Sequence, residues 1–276
     1  MNVKIIRNEL LQRGMTIVPT RSFTFAYSAD ESVQFLFRQY SKSFSQRAHE
    51  FNDLVNEVSK SPELEAVAAP FNPHGIAEIA SYKPAANVTF IAKKGIFVYD
   101  NYVITGIRNN RVLNSFELPR EIAWYIIDGG EWDGKLIPYS GRNFFKFADG
   151  SWMSTPTISD VKIANVSKLI QRTMITLGTG TGNWDSALLK LKDSKSPTAE
   201  IKCTGKICTI YVDKKAVDRG VKYEGTPFIH KVLRESLVHA LSLSPSGETS
   251  SMLFSADEKV LTIEPSSLYF TTMVIL

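Results

Sequence analysis

The sequence predicts an α+β fold of antiparallel sheets with interspersed helices, and three observations predict it. From Asn87 onward, short runs rich in β-branched and aromatic residues are separated only by small turn formers: Lys94-Gly95, Asp100-Asn101 and Asn109-Asn110. Gaps that short allow hairpins but not the crossover of roughly a dozen residues that parallel pairing needs. Helical segments then fall between groups of strands rather than after each one, which excludes a doubly wound βαβ architecture. The composition, 43% hydrophobic and 22% charged over 276 residues, supplies a core of ordinary size.

Taken in order, residues 4–13 read as a short helix stopped by Gly14, and Phe23, Phe25 and Tyr27 put three rings on one face of a strand. Ser28-Ala29-Asp30-Glu31 has the form of a capping box. The apolar positions Val33, Phe37, Tyr40, Phe44, Ala48, Phe51, Val55 and Val58 then recur at steps of three and four. Together these predict a long amphipathic helix of about seven turns from 29 to 59. Residues 59–87 hold Pro62, Pro70, Pro73 and Pro84 and read as a connector. The organisation expected is a helical segment with a Pro/Ala-rich connector over 1–86, followed by an antiparallel-sheet domain over 87–276.

Within that domain, strands are predicted at 88–92, 96–100, 102–108, 111–118, 124–127, 135–139, 143–147 and 151–155, with Asp149-Gly150 as a hairpin turn. Ser159-Asp160 opens a helix expected to reach about Leu177. Strands return at 187–192, 200–203 and 206–212. A helix then follows Thr226-Pro227 to about Leu243, and closing strands lie at 252–255, 259–263 and 268–275. The pattern after residue 87 is strands, helix, strands, helix, strands.

Two cysteines, Cys203 and Cys208, are too few for an oxidised secreted scaffold. The opening residues hold no apolar run long enough for a signal-peptide core, and nothing approaches the ~18 apolar residues of a membrane span. A cytoplasmic setting is expected, that of a host cell if the protein is phage-encoded.

No catalytic, cofactor or metal constellation stands out. His230 and His239 are not an i, i+4 pair. Cys203 and Cys208 flank a tight hairpin but have no second ligand pair nearby. Gly178-Thr179-Gly180-Thr181-Gly182 lacks the third glycine of a dinucleotide site and the Gly-Lys-Ser/Thr of a P-loop, and it reads as a flexible loop. Asp128-Gly129-Gly130-Glu131-Trp132-Asp133 reads as an acidic hairpin loop, although clustered acids can also hold Mg²⁺.

The net charge is only +4, but residues 190–222 hold nine Lys/Arg against four Asp/Glu. Basic residues also interleave with rings: Lys93 and Lys94 with Phe97 and Tyr99, and Arg142 and Lys146 with Phe144 and Phe145. Lys190, Lys192, Lys202, Lys206, Lys214 and Lys215 surround Tyr211 in the basic run. A basic groove with exposed rings is what single-stranded nucleic acid requires, phosphates on the cations and bases on the rings. These residues are therefore the candidate site of a non-catalytic single-strand binder, with RNA favoured over DNA.

The stretch Arg21-Ser22-Phe23-Thr24-Phe25-Ala26-Tyr27 is similar to the aromatic strand of RNA-recognition motifs, without the glycine after its basic residue and without the βαββαβ order. The order of elements over about 88–243 resembles Whirly-type single-strand binders and is similar to RNA-binding proteins of large bacteriophages. That resemblance implies binding along sheet surfaces, often as an oligomer. Two alternatives stand beside it. The apolar tail Leu268–Leu276 suits an edge strand, which fits an adaptor that self-associates or docks a partner. An enzyme would use the 128–133 or 178–182 segment.

Overall fold

A computed structural model describes residues 10–12, 14–19, 23–30, 32–38, 46–68, 76, 79, 86–127, 131–217, 219–244 and 246–276. The chain forms two compact units, one from residues 1–96 and 109–167, the other from 97–108 and 168–276. Both are α+β with antiparallel pairing, as the sequence predicts.

The early elements are β1 (Thr16–Pro19), β2 (Phe23–Tyr27), β3 (Gln34–Arg38), α1 (Gln46–Val58), β4 (Leu64–Glu65), β5 (Val88–Ile91), β6 (Gly95–Tyr99) and β7 (Val103–Arg108). Then come β8 (Phe116–Leu118), α2 (Arg120–Ile127), β9 (Lys135–Tyr139), β10 (Arg142–Lys146), β11 (Trp152–Pro156) and α3 (Asp160–Ile170). In the first unit, seven strands run in the order β1-β2-β3-β11-β10-β9-β4, and β5 pairs with β8. Helix α1 lays Phe51, Val55 and Val58 on this sheet, against Phe25, Leu36, Phe144 and Trp152.

The remaining elements are β12 (Ile175–Gly182), α4 (Asp185–Asp193), β13 (Thr198–Cys203), β14 (Ile207–Val212), β15 (Lys215–Ala216), β16 (Val221–Gly225), β17 (Phe228–Leu233), α5 (Arg234–Ser242), β18 (Ser250–Ala256), β19 (Val260–Glu264) and β20 (Tyr269–Val274). In the second unit the strands run β17-β13-β14-β16-β12-β18-β19-β20-β7, with β15 added to β14. One core joins Ala187 and Leu191 of α4, and Leu237, Ala240 and Leu241 of α5, to the inward residues of β13, β14 and β17. Among the described residues the first unit carries α1, α2 and most of α3, and the second carries α4 and α5.

Several local expectations change. The long N-terminal helix is not formed: residues 34–38 are β3, and the helix begins at Gln46. β3 lies between β2 and β11 with Phe35 and Leu36 both buried. A strand covered on both faces has nearly continuous apolar residues, which imitate helical spacing. The apparent capping box is a hairpin turn. Asp30 Oδ1 accepts from Ser28 Oγ (2.5 Å), Ser32 N (3.1 Å) and Ser32 Oγ (2.8 Å), and these bonds hold its carboxyl down at about 2.

Residues 124–127 lie in α2, not in a strand. Pro119 starts this helix, and Ile122, Ala123, Tyr125 and Ile126 are all buried, which erases its periodicity. Residues 187–192 lie in α4, where Ala187 and Leu191 share one buried face. The helix from Ser159 stops at Ile170, and the one expected from Pro227 starts only at Arg234, because Phe228–Leu233 pairs with β13. No helix among the described residues is long and apolar enough to cross a membrane.

The glycine-rich segment is no loop. Gly178, Gly180 and Gly182 are strand residues of β12, paired with β16 and β18. A Cβ at Gly178 would lie 2.4 Å from Glu224 O and 2.7 Å from Gly225 Cα, and one at Gly182 2.5 Å from Val221 Cγ1. These glycines let neighbouring strands and side chains approach closely; they present no cradle of amides to a phosphate.

Candidate functional site

Three of the five rings expected to stack on bases are core. Phe97 and Phe145 are fully buried, as is Phe144 at 1% exposure. Phe144 faces α1, 6.3 Å from Phe51, whereas Phe145 points the other way, 6.0 Å from Phe116 and 5.5 Å from Trp132. Phe97 packs against Phe270. Tyr99 and Tyr211 are half-buried. Arg142 is also committed inward, donating to Ser32 O (2.8 Å) and Ser154 Oγ (2.9 Å), and Lys146 rides over the Trp152 ring. Lys93 is exposed and Lys94 partly so, at the turn before β6. With Phe97, Phe144 and Phe145 in the core, those three rings are not available to stack on bases.

The lysines fare differently. Lys190 and Lys192 are exposed at the C-terminal end of α4, where cations suit the helix dipole. Lys202 is exposed on β13, Lys206 lies in the β13–β14 turn, and Lys214 and Lys215 lie at the β14–β15 turn. That turn holds Asp213 and Lys214 at φ of 49° and 65°, the backbone of a type I′ hairpin.

Concave surface is found in both units. In the first unit, a cleft of about 560 Å³ has Trp132, Ile137, Phe144 and Phe147 along it and Glu63, Glu131, Asp133 and Lys135 at its rim. Lys135 reaches Glu63 (3.3 Å) and Asp133 (3.6 Å), and these carboxylates raise its pKa. Among the described residues no group of His, Cys, Asp and Glu is arranged to hold a metal ion.

The second unit has a smaller cleft of about 230 Å³, where Leu169, Ile170 and Met174 meet the sheet of β18, β19, β20 and β7. Arg108 forms a two-pronged pair with Glu264 (3.2 and 2.7 Å) and lies 4.6 Å over the Phe270 ring. Thr262 and Thr272 share a hydrogen bond (2.7 Å) across β19 and β20, and Thr105 and Thr271 share another (2.9 Å) across β7 and β20. Arg172 pairs with Asp257 (2.9 Å). Burial alone would raise the Asp257 carboxyl, but the amides of Lys259 and Val260, with Arg172, outweigh it and hold the group below its usual range. The cleft's charged residues and threonines are thus largely paired with one another. At less than the about 300–1,000 Å³ of small-molecule sites, the cleft fits one or two side chains of a docked segment. Sequence reading missed it, because Arg108, Arg172 and Glu264 are far apart along the chain.

The fold is that of DNA sliding clamps. Three solved structures show the likeness. The Helicobacter pylori beta clamp bound to a DNA ligase peptide matches at a TM-score of 0.58 and 13% identity, over 95% of this chain and 91% of that one. DNA polymerase III subunit beta from Borrelia burgdorferi matches at 0.59 and 12%, over 99% and 96%. The DNA polymerase sliding clamp from Pseudomonas aeruginosa matches at 0.60 and 8%, over 95% and 91%. No protein-family model matches the sequence, and neither does any curated protein.

These matches overturn the Whirly-type and phage RNA-binding resemblance. Element order alone could not separate the two folds. The single-strand-binding reading, and the single-stranded partner it implied, fall with the resemblance and with the buried rings.

Proposed function

We propose that this protein is a sliding clamp: a non-catalytic ring, built from copies of the chain, that encloses duplex DNA and holds partner proteins on it inside the cell. The observation that carries this reading is the clamp-like fold extending over nearly all of the chain and nearly all of each neighbour. It agrees with the adaptor alternative drawn from the sequence. The modest positive charge also suits it, since a clamp must attract a polyanion without gripping particular bases.

Enclosure separates a clamp from an ordinary DNA-binding protein. A protein held by charge alone leaves DNA as salt rises, whereas a closed ring leaves only at an end. Retention on DNA should therefore depend on whether the ends are blocked. The cleft at Arg108, Met174 and Phe270 is suited to seat a side chain of a partner segment, and the Helicobacter clamp is known bound to a DNA ligase peptide.

A further inference from the structure

In the second unit, β13, β14, β16 and β17 present a solvent-facing sheet surface whose residues do not line the cleft at Arg108. Residues of β13, β14 and β17 alternate between the core shared with α4 and α5 and an opposite, solvent-facing side. Strand register places that side in rows. Lys231, Glu200 and Tyr211 form one row across β17, β13 and β14, and Ile229, Lys202 and Thr209 the next. Ile207 pairs with Lys222 of β16 beyond them. Lys202, Lys222 and Lys231 are exposed, with Lys206 at the adjoining turn. Ile207 and Ile229 are 49% and 57% exposed.

We propose that this face docks an acidic, aliphatic segment of a partner protein. Four lysines, Lys202, Lys206, Lys222 and Lys231, stand against two acids, Glu200 and Glu224, so the face carries a positive excess. Lys222 and Glu224 already pair, but both are more than 70% exposed, and so open a pair is easily exchanged for a partner carboxylate. The two isoleucines decide between kinds of anion. Among lysines on a flat sheet they offer apolar contact to side chains spaced along an extended segment. Nucleic acid would want exposed stacking rings instead, and Tyr211, the one ring among the described residues of these rows, is half-buried. Glu200, in the middle of its row, would also repel a continuous phosphate backbone.

The proposal does not depend on ring formation and is tested on the full chain. The probe is a fluorescein-labelled peptide of four Glu-Leu-Asp repeats. It is compared with four Glu-Ser-Asp repeats and with a single-stranded DNA of similar charge, all by anisotropy at physiological salt. The Leu probe is expected to bind best, and Lys202→Glu with Lys231→Glu should weaken it about tenfold while the far-ultraviolet spectrum stays unchanged. Ile229→Ser alone should remove its advantage over the Ser probe. Equal binding of the two peptides, preference for the DNA, or insensitivity to the lysine pair would overturn the proposal.

Discussion

Strand β10 of the first unit and strand β13 of the second both mix large apolar residues with cations, but they are placed differently. β10 lies between two layers: Phe144 turns to α1 and Phe145 to Phe116 and Trp132, so both faces are core. β13 is covered on one side, by the core that includes α4 and α5, and its other side shows Glu200 and Lys202 to solvent. The difference teaches that a ring next to a cation in sequence says little about exposure. What decides is how many layers lie over the strand. Aromatic residues favour doubly covered strands because each buries a large area there. Lysine cannot be buried at that density, so its alternation reports a free face more faithfully.

The contrast can be broken at β10. Phe145→Ala should cost about 3–5 kcal/mol, because a fully buried ring between two layers leaves a cavity. Lys202→Ala on β13 should leave stability within about 0.5 kcal/mol. Urea unfolding of both variants checks the pair, and similar costs would refute the layer argument.

A smaller effect, about 1–3 kcal/mol, is expected from overpacking at β12. Gly178→Val puts carbon against Glu224 O and the Tyr223 hydroxyl, which donates to Thr226 O (2.9 Å) and whose pKa burial pushes up to about 12. A lowered melting temperature is the expected result. An unchanged one would mean that the strands are not so closely set.

The smallest effect concerns the β2–β3 turn. Asp30 is held as a carboxylate near 2, below its ordinary 3.8, by hydroxyl and amide donors. A depressed carboxyl stabilises the fold above its unfolded pKa, and that contribution is lost as pH falls from about 4 toward 2. The group is exposed, so the loss should be slight. Asp30→Asn should flatten that part of the melting temperature against pH and leave the curve above pH 5 unaltered.

Much of the fold is legible in the sequence. Turn pairs such as Asp149-Gly150 and the composition of 135–147 place β9 and β10 to within a residue. Where reading failed, burial had erased periodicity, as in β3 and α2, or a close approach of strands demanded glycine, as in β12. Glycine marks both mobile loops and tightly packed strands, and only the neighbour reveals which. The candidate cleft was illegible because β7, β19 and β20 bring Arg108, Glu264 and Phe270 together from distant parts of the chain.

The most direct test of the clamp reading uses linear duplex DNA of two kinds, one with free ends and one with a bulky protein block at both ends. The protein is first allowed to thread onto free-ended DNA. The ends are then blocked on half the sample, and both halves are washed at high salt. A clamp stays on the blocked DNA, slides off the open DNA, and is released when a restriction enzyme cuts the blocked molecule. Equal loss from both at high salt would show a protein held by charge alone and would contradict the account.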